Sequence, residues 1–568
     1  MGLGLLTSRA LRSSSSRFSS TNTRYILIRT IFSTPEHSKP VALKAATESG
    51  IGKLDGARFQ LSRFCYHDQL FISGNWRMRL VEVEKSQRTV SSILVALLPA
   101  LFLGLSSTPA MAEDSSTELT ETDLGGLTKI DDGSVVSNIH TSKWRVFTDN
   151  GRDLFLQGKL EDAERLFVGA LQEAKEGFGE RDPHVASACN NLAELYRVKK
   201  AFDKAEPLYL EAINILEESY GHDDIRVGAA LHNLGQFYLI QSNLNGARAC
   251  YERALKIKRR VLGEGHADYA ETMYHLGKVL DLQGNGKEAE ALIKESIHIL
   301  EEGGQGGSFL CMRRLRYLVQ IYIKSNKLTE AVNIQRKILH TMELSKGWDS
   351  LETVIAGESL ALILQSAGNL IEAKELLQRC LDSRRKLLPE DHIQLAANML
   401  HLGRVELLLY NQSKATAVLD NAQDFLCNSI RVARQALNKL KSQGPNRKIS
   451  RIDAHSQHTA LLILLQALNT LSQLQVTKSE LHEKKILNSD AEKALLDCIS
   501  AFKQFGSETG LSNFNDIKGE YLSCLKHLSS LLKTSKKTDS LNQLRQPTLE
   551  EVQNEIKRVE ANTKPYQR

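Results

Sequence analysis

Seven alanines, Ala163, Ala205, Ala247, Ala289, Ala331, Ala373 and Ala415, follow one another at intervals of 42 residues without slippage. A fixed period of this length marks a repeat array, in which no unit buries its own apolar face and each must stack on its neighbours. The alanines lie in similar stretches, among them QGKLEDAERLF (157–167), KKAFDKAEPLY (199–209) and LYNQSKATAVL (409–419). Five residues before the alanine stands Gly158, Gly284, Asn326 or Gly368 in four copies, residue types that accept the left-handed backbone of a turn. The pattern predicts two helices per copy with that turn between them.

Twelve residues before the alanine a small residue recurs as Gly151, Ala193, Gly235, Gly277, Ala361 and Gly403, with Val319 the exception. A leucine precedes it in six copies, and a bulky residue follows three positions on, as Leu154, Tyr196, Tyr238, Leu280, Tyr322 and Leu364. Such spacing gives one helical face on which a second backbone can come close. The second helix answers with the alanine and a bulky residue four later: Phe167, Tyr209, Tyr251, Ile293, Leu377 and Leu419.

This small-large order resembles the tetratricopeptide repeat. The 42-residue length, with connectors such as FGERDPHVA (178–186) and LGEGHADYA (262–270), resembles the kinesin light chain branch. The resemblance covers roughly residues 143–428, as seven repeats. It implies an all-α fold, a right-handed superhelical solenoid of antiparallel helix hairpins. Three departures stand out: Gln335 at the bulky position of repeat five, Glu406 at the tyrosine position of repeat seven, and GGQGG (303–307) as a connector.

None of the ten prolines falls between Pro207 and Pro389, which suits uninterrupted hairpins. A net charge of +6 over 568 residues is too small to argue for nucleic acid by itself. The eight cysteines form no CxxC pair, and Cys189, Cys250 and Cys380 fall on packing faces, so neither a disulfide framework nor a zinc site is expected.

Residues 1–35 hold five arginines and eight serines but no acid, the composition of an organelle import peptide, and the transit region is taken as 1–88. Residues 89–112 carry no charge, and ILVALLPALFLGL (93–105) leads to Ala110-Met111-Ala112 before Glu113. The run is shorter than the ~20 residues of a membrane span and closes as a Sec-type signal does. The pair resembles the bipartite targeting of plant thylakoid lumen proteins. Chloroplast, in thylakoid lumen or membrane, is the expected location, with an uncleaved mitochondrial inner-membrane tether as the alternative.

Residues 113–142 read as an acidic polar linker. Beyond the repeats, 429–453 is a basic linker broken by QGPN (443–446), 454–535 a degenerate repeat with a capping helix near 514–534, and 536–568 a polar tail. Solenoids need atypical ends because the last hairpin would otherwise expose its apolar face.

No catalytic constellation emerges: GGQGG lacks the Lys-Ser/Thr of a phosphate loop, and His455 and His458, three apart, are a weak metal signal. No cofactor, metal or small-molecule substrate is expected. The resemblance places the first helices on the concave surface, which points to an extended peptide segment of a protein partner. The polar residues expected there are Arg152, Asn191, Glu194, Asn233, Gln236, His275 and Lys278. An asparagine amide both donates to and accepts from a backbone, so Asn191 and Asn233 are expected to clamp the segment. Assembly or maintenance of an organellar complex is the role implied. Helical-repeat RNA binding, resting on the basic residues of 431–451, is the other reading.

Overall fold

In the computed structural model, residues 139–442, 451–482, 487–506, 511–535 and 548–563 are described. They form eighteen α-helices and no strand: α1 (Ile139–Leu156), α2 (Leu160–Phe178), α3 (Pro183–Val198), α4 (Phe202–Tyr220), α5 (Ile225–Ile240), α6 (Leu244–Leu262), α7 (Ala267–Leu282), α8 (Gly286–Glu302), α9 (Phe309–Lys324), α10 (Leu328–Lys346), α11 (Leu351–Ser366), α12 (Leu370–Leu387), α13 (Ile393–Ser413), α14 (Ala417–Ser442), α15 (Arg451–His482), α16 (Leu487–Ala501), α17 (Asn515–Ser535) and α18 (Leu549–Thr563). The targeting segments and most of the acidic linker lie outside the described residues; the first helix begins at Ile139, inside the span read as linker.

The chain divides into two compact units, which meet in sequence at Val261 and Leu262. In the first, hairpins α1–α2, α3–α4 and α5–α6 follow one another, the last closed by Leu234 and Phe237 clustering with Ala254 and Ile257. Its core runs from Phe155, Ala163 and Phe167 through Cys189 and Ile215 to Tyr209, Phe237 and Ile257. In the second, the hairpins are α7–α8, α9–α10, α11–α12, α13–α14, α15–α16 and α17–α18.

Local chemistry repeats with the period. The turn residue is left-handed not only at Gly158, Gly284, Asn326 and Gly368 but also at Lys200 and Ser242, so the hairpin geometry overrides the usual cost of a side chain there. First helices start at Asp182, Asp224, His266, Ser308, Ser350 and His392, also 42 apart, each capping an N–H two or three residues on. Either oxygen or a neutral imidazole nitrogen satisfies that orphan donor.

Six of the seven period alanines are fully buried. The close approach behind them is explicit: a methyl group added at Gly277 would lie 2.8 Å from Ile293 and 3.4 Å from the Ala289 carbonyl, and one at Gly235 would lie 2.9 Å from the Tyr251 ring.

Repeat seven corrects the sequence reading. Helix α13 continues to Ser413, the left-handed residue is Lys414, and Ala415 is exposed. The same methyl test at Gly403 meets Leu426 at 2.8 Å and the Ala422 carbonyl at 3.4 Å, so Ala422 and Leu426 do what Ala289 and Ile293 do. The hairpin is seven residues longer than its predecessors. Seven residues are close to two helical turns, so the faces are kept while the period is lost.

The remaining departures are accommodated. Gln335 is 5% exposed and its amide donates to the Ala356 carbonyl at 3.0 Å. Elsewhere the tyrosine position ties neighbouring repeats, Tyr196 to Glu164 at 3.0 Å and Tyr238 to Glu206 at 2.8 Å. Glu406 replaces that tyrosine, and Lys374 replaces the glutamate, at 2.8 Å: the tie survives as an ion pair.

Helices α15 and α16 pack as a hairpin within the span read as a degenerate repeat, and α17 lies in the span read as a capping helix. The stretch read as a polar tail is not uniformly so, because α18 packs on α17 with Val552 at 3% exposure and Glu555 accepting from the Tyr521 hydroxyl at 3.3 Å. Helix α15 is long and apolar enough to cross a membrane, yet 78% of its apolar window is buried inside the fold, as a core helix requires. Cysteine usage is a second correction: Cys498 and Cys524 form a disulfide between α16 and α17.

Candidate functional site

Burial differs among the first helices of the N-terminal unit: α1 buries five of its eighteen residues and α5 ten of its sixteen. In α3, thirteen residues are buried. That changes the standing of the expected clamp. Asn191 is 1% and Asn233 2% exposed, and the Asn233 side-chain amide donates to Asn190 Oδ1 at 3.0 Å. The open polar face expected at these two positions is absent: Asn233 joins α5 to α3. Glu194 is fully buried and accepts from Arg197 at 2.9 Å and from the Tyr209 hydroxyl, so it organises its own repeat. Burial, with the Glu194 charge, pushes the Tyr209 hydroxyl well above its ordinary range.

Arg152 and Gln236 are half-buried, and the Gln236 amide reaches His232 at 3.3 Å. One turn further along the same helices, Leu156 is 44% and Ile240 42% exposed. Positions four apart share a helical face. The accessible strip of this unit therefore alternates polar and apolar groups, with Val198 of the repeat between at 9% exposure.

In the second unit, His275 is 5% exposed and bonds Glu271 at 3.0 Å, while Arg313 and Arg314 of the next first helix reach the same carboxylate. Burial raises the Glu271 pKa, but hydrogen bonding by His275 and the flanking cations hold it well below the usual range. Burial also lowers His275 to about 4, outweighing the pull of Glu271. Lys278 is half-buried over the rings of Tyr274 and Tyr317, at 5.6 and 5.8 Å. Further on, Arg404 donates to Thr470 at 3.3 Å and Gln466 to Glu520 at 3.2 Å, so polar ties also link α13, α15 and α17.

His401, at 3% exposure, is likewise lowered by burial to about 4. Both histidines bind fewer protons folded than unfolded between about pH 6.5 and 4, so their contribution is complete above pH 6.5 and fades as pH falls through that window. Denaturant midpoints should drop from pH 7 to pH 4.5, and less steeply in a His275→Gln/His401→Gln variant; equal slopes would remove these two groups from the account.

Of the other sequence signals, His458 does have a carboxylate partner, Asp516, at 3.0 Å and 58 residues away, which no local reading could find. In the basic stretch, Arg434 pairs with Asp497 at 3.0 Å and Lys439 with Asp391, while 443–450 lie outside the described residues. One grouping of metal-ligand type occurs among the described residues: His140, Glu173 and Glu176, with ligand atoms within 4.8 Å of one another. Lys143 already supplies a cation there, 3.1 Å from Glu173.

Stacked two-helix hairpins with a buried small-large seam define a helical-repeat protein. The tetratricopeptide repeat is matched by a family model over residues 145–218 and 226–302, and by a second over 358–394. Among solved structures, the chain is similar to the nearly identical TPR-like repeats of a kinesin light chain candidate from Podosopora anserina, at 18% identity and TM-score 0.34, covering 36% of this chain and 98% of that one. It is similar to apo RapI at 13% identity and TM-score 0.43, covering 71% and 100%. A curated relative, the mitochondrial NADH dehydrogenase [ubiquinone] iron-sulfur protein 1 of Solanum tuberosum, is 37% identical over 143 residues. The match spans 18% of each chain, so this chain covers less than a fifth of that relative's length.

Proposed function

We propose that the protein is a non-catalytic scaffold that holds an extended segment of a partner protein along the first helices of its N-terminal unit. The observation that carries this reading is the accessible strip of Arg152, Leu156, Gln236 and Ile240 on the first helices α1 and α5. A face of alternating polar and apolar groups suits an extended chain, whose side chains and backbone offer the same alternation. Asn233 ties α5, which presents Gln236 and Ile240, to α3.

The role is assembly or maintenance of an organellar complex. The targeting segments support delivery to an organelle; the thylakoid reading rests on the Ala110-Met111-Ala112 step, and similarity to a relative named as mitochondrial favours the mitochondrial alternative. N-terminal sequencing of the endogenous protein distinguishes them, since a mature terminus near Glu113 supports lumenal processing and one upstream of residue 89 opposes it.

For the binding face, Arg152→Ala with Gln236→Ala should weaken capture of the partner from organelle extracts by very roughly ten-fold or more, as loss of a charged and an amide contact implies. Both side chains are half-buried and outside the core, so the melting temperature should hardly move. Undiminished capture by the folded variant would place the site elsewhere.

A further inference from the structure

The chemistry of the C-terminal hairpins is concentrated at one covalent link. Cys498 on α16 and Cys524 on α17 are bonded, and both are fully buried. The other described cysteines differ: Cys189, Cys250, Cys311 and Cys380 are buried thiols and Cys427 is exposed. Burial pushes the thiols of Cys189 and Cys380 up to about 12 and that of Cys250 to about 11, which makes them poor nucleophiles.

The link occupies a particular place. Helix α17 presents Ile517, Tyr521, Cys524 and Leu528, all fully buried, as one apolar face, and Tyr521 stacks on Phe502 at 3.8 Å. Its polar ties to the fold are His458 to Asp516 at 3.0 Å, Gln466 to Glu520 at 3.2 Å, Asn469 to Ser523 at 3.0 Å and His527 to Asn469 at 2.6 Å. Glu520 is 5% exposed and burial raises its pKa, so it is a costly group to keep dry. Helix α18 in turn rests on α17, with Lys526 and Glu560 2.9 Å apart. Terminal repeats have neighbours on one side only and open before the interior of an array.

We propose that Cys498–Cys524 is a redox clasp for these terminal hairpins, addressed by a protein dithiol of the oxidoreductase class. A thiolate of that dithiol attacks one of the two sulfurs when the hairpin opens; the S–S bond breaks and a mixed disulfide forms. The second thiol of the reductant resolves it. Two electrons pass to the clasp, two protons complete its thiols, and the reductant leaves as its own disulfide. Oxidised, the clasp fixes the apolar face of α17 over the preceding hairpin; reduced, that face depends on four polar ties and packing. The clasp persists only in a compartment that tolerates disulfides.

The test uses the full chain with dithiothreitol as the probe, thiols counted by alkylation and mass spectrometry, and amide exchange followed by peptide. Reduction should open two thiols and speed exchange in α16 and α17 by about ten-fold or more, as removal of a cross-link across 26 residues allows. Exchange in α3 to α6 should stay unchanged. Cys498→Ser with Cys524→Ser should exchange like the reduced chain and ignore the reductant. A native chain that resists reduction, a reduced chain with unaltered exchange, or loss of protection spread evenly over all helices would each overturn the proposal.

Discussion

Arg384→Ala should destabilise the C-terminal unit by about 3–5 kcal/mol, because it leaves a buried carboxylate without its partner. Arg384 and Glu358 are 2% and 6% exposed and face each other bidentately, at 2.7 and 2.6 Å. The same guanidinium reaches the Gln394 carbonyl at 3.3 Å, at the start of the next hairpin. Burial raises the pKa of Glu358, but the Arg384 charge and hydrogen bonds hold it below the ordinary range. The stability this confers is present above the unfolded carboxylate pKa, about 4.5, and fades as pH falls through the lower folded value. Denaturation at pH 7 should therefore show the loss, and denaturation at acidic pH a smaller one. Replacing the pair by Arg384→Met with Glu358→Leu should recover much of it, since apolar isosteres of buried ion pairs are often neutral. A single variant as stable as the parent would show that water reaches Glu358.

The second large effect is a contrast between two alanines in similar sequence. Ala247→Leu should cost about 1–3 kcal/mol or more by overpacking a seam with no spare volume, whereas Ala415→Leu should change stability by no more than about 0.5 kcal/mol, as surface substitutions do. Ala247 is fully buried and Ala415 exposed. Ala422→Leu should behave like Ala247→Leu, since Ala422 is the one seated under Gly403. Because repeats couple to their neighbours, amide exchange in the Ala247 variant should rise first in α5 and α6 and then in α4. Equal penalties at 247 and 415 would contradict the seven-residue shift of the last 42-residue hairpin.

That shift shows what a period can and cannot tell. The 42-residue alanines located every hairpin from α1 to α12, because a backbone contact that only a small side chain fits leaves its mark in sequence. At repeat seven the same letter recurs by coincidence in a turn, and only three-dimensional contacts show that the role has passed to Ala422. The left-handed turn at Lys200 and Ser242 was hidden for the opposite reason: the conformation is imposed by the hairpin, and the residues there do not announce it.

The candidate face was legible in part. Register put Arg152, Asn191, Gln236 and Lys278 on one side of the first helices, but exposure depends on neighbours that register does not contain. Asn191 and Asn233 lie too deep, and Asn233 meets Asn190 rather than solvent. The apolar half of the strip, Leu156 and Ile240, was missed because an exposed aliphatic at a helix end looks like an ordinary seam residue. The Cys498–Cys524 bond, 26 residues apart, lies outside any spacing motif and depends on two helices crossing.

The most direct test of the scaffold reading is photo-crosslinking from defined positions in the otherwise native chain. A crosslinkable side chain at 152 or 236, on the first helices, should capture one partner through a single continuous segment. The same group at 168 or 210, where Val168 and Leu210 are 47% and 43% exposed on second helices, should capture none of it. Crosslinks to that segment from 168 and 210, with none from 152 and 236, would contradict the account.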